Sequence, residues 1–214
     1  MAVEAKICGL RRPEDARLAA RLGAAWLGVV LDSGPRQASL SELRAVVAAA
    51  GGVPVLGVAV HRPVDDLLAL RDSTGIAGVQ LHGDYADDGA ARLRGAGLIV
   101  WRVARLAAPG AVNRIPALTR HADAVLVERS VTDRAGGSGA ALPLEWAGEA
   151  RAAITGVPMV LAGGLTPETV ARVAALVRPE VVDVSSGVER APGIKDPARV
   201  ARFLEALIDI NARA

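Results

Sequence analysis

Eight short apolar runs, about 25 residues apart and separated by amphipathic stretches, constrain this chain more than any other feature. They occupy 5–9, 26–31, 55–60, 78–81, 98–103, 124–127, 159–162 and 181–184. Each is rich in Val, Ile or Leu and barely alternates with polar residues, the pattern of strands covered on both faces. Between them, 13–22, 41–50, 63–72, 87–94, 112–120, 145–154, 167–177 and 197–208 place Leu, Val or Ala at three- and four-residue spacing, as one-sided helices do. Pro13 suits a first helical turn, and Ser41 is an N-cap candidate. Thr166-Pro167-Glu168 and Asp196-Pro197-Ala198 read as cap-plus-proline starts, and Gly23, Gly51, Gly75, Gly97 and Gly156 fall where helices should stop. Eight strand–helix units predict an α/β fold: a single (β/α)8 barrel of the TIM type with parallel strands, spanning 1–214 as one domain. An open doubly wound sheet is the alternative, but no Gly-x-Gly-x-x-Gly follows the first run.

Composition narrows the function classes. Apolar residues make up 51% and charged residues 22%, which excludes intrinsic disorder. Aromatic residues are only 2%, so the core must be aliphatic. Lys and Arg number 25 against 23 Asp and Glu, a net charge of +2 that argues for neither nucleic acid nor a membrane surface as partner. One cysteine makes no internal disulfide, and with three histidines it gives no basis for a metal site. The opening MAVEAKICGL lacks the basic-then-apolar pattern of a signal peptide, and no apolar stretch reaches membrane-helix length, so a soluble cytoplasmic protein is expected.

A barrel of this kind works at the C-terminal ends of its strands. Read in order, those ends carry Lys6-Ile7-Cys8-Gly9, Asp32-Ser33-Gly34-Pro35-Arg36, Gln80-Leu81-His82-Gly83, Val127-Glu128-Arg129, Ala162-Gly163-Gly164-Leu165 and Asp183-Val184-Ser185-Ser186-Gly187. Each has a plain structural reading: a buried thiol, a satisfied histidine, a solvated arginine, a rim ion pair, a tight turn, a cap. Their gathering at one rim is what points to chemistry. Gly163 and Gly164 let main-chain N–H groups approach an anion. Ser185, Ser186 and Gly187 add donors at the next strand end, with a short helix expected near Gly187, so the pair of loops predicts a phosphorylated small-molecule ligand. The segment 129–142, rich in glycine, is the longest expected loop, and a long loop in a compact domain is usually functional or disordered.

At these residues the chain resembles the phosphoribosylanthranilate isomerases of tryptophan biosynthesis. The resemblance runs over nearly the whole length. It rests on Lys6-Ile7-Cys8-Gly9-Leu10, Arg12-Pro13-Glu14-Asp15-Ala16, Gly34-Pro35-Arg36, Val79-Gln80-Leu81-His82-Gly83, Gly136-Gly137-Ser138-Gly139, Leu161-Ala162-Gly163-Gly164-Leu165, Asp183 through Glu189, and Pro192-Gly193-Ile194-Lys195-Asp196. It implies a cofactor-free Amadori rearrangement by acid–base catalysis, in a monomer or homodimer. It further implies that Cys8 is the base, requiring a site that favours the thiolate, with Lys6 two residues away on the same strand face. Glu128 stands where the family has an aspartate acid. Arg36 would take the substrate carboxylate, His82 would line the pocket, Asp183 would lie near the sugar hydroxyls, and Gly163, Gly164, Ser185, Ser186 and Gly187 would hold the phosphate. Val30, Leu31, Ala59 and Val60 replace aromatic residues common in the second and third strands of the family. Two alternatives follow from these departures: an isomerase of another phosphorylated aldosylamine, or a phosphate-ligand-binding barrel without turnover.

Overall fold

The structure, a computed structural model, describes residues 2–130 and 141–212. Eight parallel strands close into a barrel in sequence order: β1 (Glu4–Ile7), β2 (Trp26–Val30), β3 (Val55–Ala59), β4 (Gly78–Leu81), β5 (Ile99–Leu106), β6 (Ala124–Arg129), β7 (Met159–Leu161) and β8 (Val181–Val184). The ring closes where β1 pairs with β8, Lys6 opposite Asp183 and Ile7 opposite Val184. Every residue of β3 and β4 is buried, Gln80 of β4 included. Helices α1 (Pro13–Arg21), α2 (Leu40–Ala49), α3 (Val64–Thr74), α4 (Asp87–Gly95), α5 (Ile115–Leu118), α6 (Leu144–Ala153), α7 (Val170–Val177) and α8 (Pro197–Asn211) follow the strands in turn. A hairpin of β9 (Glu189–Ala191) and β10 (Ile194–Lys195) precedes α8.

The helix starts follow from local chemistry. Asp196 caps α8 by accepting from the N–H groups of Ala198 and Arg199 at 2.9 and 3.1 Å, with Pro197 in the first turn. The cap of α2 is Ser39 rather than Ser41: its Oγ accepts from Glu42 N, while the Glu42 carboxylate accepts from Ser39 N at 2.7 Å. That reciprocal capping box satisfies two otherwise orphaned donors. Two helices are shorter than their apolar periodicity predicts. α7 begins at Val170, because Thr166 to Thr169 form a turn in which Thr169 Oγ1 accepts from Thr166 N. The expected helix over 112–120 keeps a single turn, Ile115–Leu118, the sequence on either side folding as turns.

Alternation along the strands divides the core into two shells. Ile7, Val79, Leu81, Val182 and Val184 point outward into one cluster beneath the helices, and Val125, Val127 and Leu161 into a second. Leu56, Trp101, Leu126, Val160 and Val181 point inward and fill the barrel, with Trp26 packed on Trp101 at a ring separation of 5.0 Å. Residues of the inward parity nearer the C-terminal end therefore face the interior above that apolar plug. These include Lys6 and Cys8 on β1, Gln80 and His82 on β4, Glu128 on β6 and Asp183 on β8. Among the described residues no helix is long and apolar enough to cross a membrane.

Candidate functional site

Lys6 is fully buried and reaches across the inside of the barrel. Its Nζ donates to Gln80 Oε1 on β4 at 2.8 Å and to Asp183 Oδ1 on β8 at 2.9 Å, and lies 5.7 Å from the Trp101 ring centre. Burial opposes its charge, but the Asp183 carboxylate and the Cys8 sulfur together hold the ammonium pKa above its usual value. A buried charge survives only when paired and hydrogen-bonded, and here both conditions hold.

Cys8 sits just beyond β1, its N–H donating to Val184 O at 2.8 Å. Sulfur and ammonium share one wall. A methyl group on Gly28 would lie 2.7 Å from Cys8 Sγ, 2.9 Å from Lys6 Cε and 3.1 Å from Lys6 Nζ. Gly28 on β2 is thus what makes room for both. Lys6 is close enough to favour the thiolate, but burial outweighs it, and the thiol pKa stands above its ordinary value. The two effects thus oppose each other at Cys8: burial disfavours the thiolate and the Lys6 ammonium favours it.

On the opposite wall, His82 Nε2 lies 3.0 Å from Glu128 Oε1. Strand β5 separates β4 from β6, so this approach can only be made across the barrel interior. The contact is close but poorly aligned, and neither His82 ring nitrogen has a directed hydrogen bond among the described residues. Arg105, opposite Glu128 in the β5–β6 register, brings its Nε to 3.5 Å of the same carboxylate oxygen. Beside this pair a cavity of about 380 Å³ opens between the ends of β4 and β5 and helix α5, lined in part by His82, Gly83, Tyr85, Arg105, Leu106 and Ile115.

Arg36 belongs to the rim above β1 and β8. Its stem passes over Gly9, where an added methyl would meet Arg36 Cδ at 2.8 Å and Ser185 Oγ at 2.7 Å. Its guanidinium grips Glu189 through Nε, at 2.9 and 3.0 Å from the two carboxylate oxygens, and through Nη2 at 2.7 Å. Lys195, fully buried, donates to Glu189 Oε1 at 2.9 Å and to Ser185 O at 3.1 Å. Burial works against the Glu189 charge, yet Arg36 and Lys195 keep its carboxyl below the usual range. Glu189 and Lys195 stand in motifs quoted above, but the sequence gives neither a role. The signal was available: two charges of opposite sign close a Pro-Gly hairpin.

Gly163 and Gly164 both have positive φ, 99° and 65°, so the main chain turns as few other residues allow. Their N–H groups meet no acceptor among the described residues. Gly187 brings the neighbouring loop against them: a methyl there would lie 1.9 Å from Leu165 O, so the close approach requires glycine. Ser186–Val188 form one short 3-10 turn where a short helix was expected, and the buried Ser185 Oγ has no hydrogen-bond partner among the described residues. Asp183, expected near sugar hydroxyls, is engaged by Lys6 and remains slightly exposed at the mouth. The glycine-rich Gly136-Gly137-Ser138-Gly139 and most of the expected 129–142 loop lie outside the described residues.

The family model described as N-(5'phosphoribosyl)anthranilate (PRA) isomerase matches residues 5–206. The chain is 36% identical over 214 residues to the N-(5'-phosphoribosyl)anthranilate isomerase of Cereibacter sphaeroides, covering 95% of this chain and 98% of that protein. The phosphoribosyl anthranilate isomerase of Thermus thermophilus superposes with a TM-score of 0.84 at 34% identity, over 97% of this chain and all of the other. Another isomerase of this name, solved in complex with reduced 1-(o-carboxyphenylamino)-1-deoxyribulose 5-phosphate, gives 0.84 at 25% identity, over 97% of this chain and 99% of its own. With the closed eight-stranded barrel and the matched motifs, these likenesses place the chain in the N-(5'-phosphoribosyl)anthranilate isomerase family.

Proposed function

We propose that this chain catalyses the Amadori rearrangement of N-(5-phosphoribosyl)anthranilate to 1-(2-carboxyphenylamino)-1-deoxyribulose 5-phosphate, a step of tryptophan biosynthesis, with its own side chains as acid and base. The observation that carries the assignment of roles is the shared parity of Cys8 and Glu128. Both face one interior, three strands apart around the ring, at the end where Arg36 and the glycine loops lie.

In this reading Glu128, with His82 Nε2 3.0 Å away, delivers a proton to the furanose ring oxygen. The C1–O bond breaks and the anthranilate nitrogen lone pair forms an iminium at C1. Cys8 as thiolate takes the C2 proton, and the C–H electron pair closes the C1–C2 double bond of an enol-amine. Protonation at C1 and loss of the enol proton give the 2-ketose. Burial opposes the thiolate in the free protein, while Lys6 supports it and the new iminium adds a second cation beside it. The base is thus activated by the intermediate on which it acts.

Arg36 is suited to a ring carboxylate by its planar fork. The unpartnered N–H groups of Gly163 and Gly164, with Ser185, Ser186 and Gly187 packed alongside, suit a phosphate without a cation. The test is steady-state conversion of the anthranilate substrate by the purified chain, alongside rescue of a tryptophan auxotroph lacking this isomerase. Turnover and rescue support the reading. Binding without turnover contradicts it and favours a phosphate-ligand-binding barrel, and turnover only of another aldosylamine phosphate favours a diverged isomerase.

A further inference from the structure

Arg36 is held before any substrate arrives. Glu189 takes the Nε–Nη2 edge of the guanidinium with three hydrogen bonds, and Nη1 has no acceptor among the described residues. The Glu189 side chain is only 5% exposed, so this is an interior grip rather than a surface ion pair. Lys195 completes it. Its ammonium donates to Glu189 and to the main-chain oxygen of Ser185, and its own N–H donates to Asp15 Oδ2 at 3.1 Å. The Glu189 carboxylate thus faces two cations, Arg36 and Lys195. The β9–β10 register brings these parts together, Lys195 lying opposite Glu189. Lys195 therefore ties the arginine to the strand end that carries Ser185 and Ser186.

We propose that Glu189 is a positioning residue that fixes Arg36 by one edge so that the other meets the ring carboxylate, and that it thereby sets the preference for a carboxylate-bearing aglycone. This rests on the reading of Arg36 given above. Without Glu189 the guanidinium loses its fixed plane, and the ordering cost falls on substrate binding.

The experiment compares N-(5-phosphoribosyl)anthranilate with N-(5-phosphoribosyl)aniline, which lacks the carboxylate, in the wild type, Glu189→Gln and Glu189→Asp. Inorganic phosphate serves as a competitive inhibitor. The expected result is a loss of about tenfold or more in kcat/KM for the anthranilate substrate in Glu189→Gln, mainly through KM. The aniline substrate changes less than about threefold and the phosphate inhibition constant stays unchanged, so the preference collapses. Glu189→Asp, which keeps the charge on a shorter stem, recovers part of the preference, and it carries the comparison if the glutamine variant does not fold. Equal losses on both substrates, or weakened phosphate inhibition, mean a merely structural role and overturn the inference. An unchanged preference overturns it as well, leaving the reaction intact. A wild type inert toward both substrates overturns the reaction itself, and this inference with it.

Discussion

On the β1, β2 and β8 side of the barrel mouth, Lys6 is bonded to Asp183 at 2.9 Å and reaches across to Gln80 of β4 at 2.8 Å, and Arg36, Glu189 and Lys195 form a second knot above them. On the β4, β5 and β6 side, Glu128 lies near His82 and Arg105 at 3.0 and 3.5 Å, without an aligned bond from the imidazole, beside a cavity. The first side is tied by aligned hydrogen bonds among its own residues; on the second the imidazole contact is looser. The contrast suits a reaction whose base must abstract from carbon, where distance and angle are strict, while its acid protonates an oxygen that accepts from a wider range of directions.

The largest expected effect tests the rigid side. Cys8→Ser should lower turnover by at least about a thousandfold with an unchanged melting temperature, since an alcohol cannot supply the base. Near-normal turnover in that variant would remove Cys8 from the mechanism. On the loose side, Glu128→Gln should cost at least about a hundredfold in kcat, read by product formation. A rate within threefold of wild type would leave the ring opening without its acid. Glu128→Asp sharpens the contrast: a loose wall tolerates one methylene less far better than a knotted one does.

Smaller effects probe the packing beneath the base. Gly28→Ala should lower kcat by about tenfold, because its methyl would lie 2.7 Å from Cys8 Sγ and 2.9 Å from Lys6 Cε. It should also cost about 1–3 kcal/mol of stability in urea unfolding, the usual cost of overpacking. Wild-type rate and stability together would show that sulfur and lysine do not crowd this glycine. The smallest effect is in acid. Glu189 has its pKa lowered in the folded state, so the stability it contributes is present above its unfolded value and fades as pH falls through the carboxylate range. Acid unfolding of Glu189→Gln should therefore begin from a lower plateau and respond less to pH; a parallel curve would contradict the depressed pKa.

Much of this architecture was legible because burial writes itself into local sequence. All eight apolar runs became strands, and Asp196-Pro197 caps its helix as read. α5 was overread because the 112–120 segment has helical spacing but forms only one turn, with Pro116 inside it. Cys8, His82, Glu128 and Asp183 were legible as candidates from their place at strand ends. The Lys6–Gln80 bond and the crowding at Gly28 were not, because the partners come from β1 and only ring closure brings them together. Lys6 offered the one local clue: a lysine inside a run buried on both faces must find a partner. Ser39 was missed as a cap because Ser41 stands nearby, yet only Ser39 has Glu three residues on.

The measurement that bears most directly on the account is a crystal structure of this chain with the reduced amino-ketose phosphate bound. The account predicts Cys8 Sγ within about 3.5 Å of C2 and the Glu128 carboxyl within hydrogen-bond reach of the former ring oxygen, on opposite faces of one sugar chain. Either group turned away from the ligand, or both on the same face of it, would contradict the division of labour between the two walls.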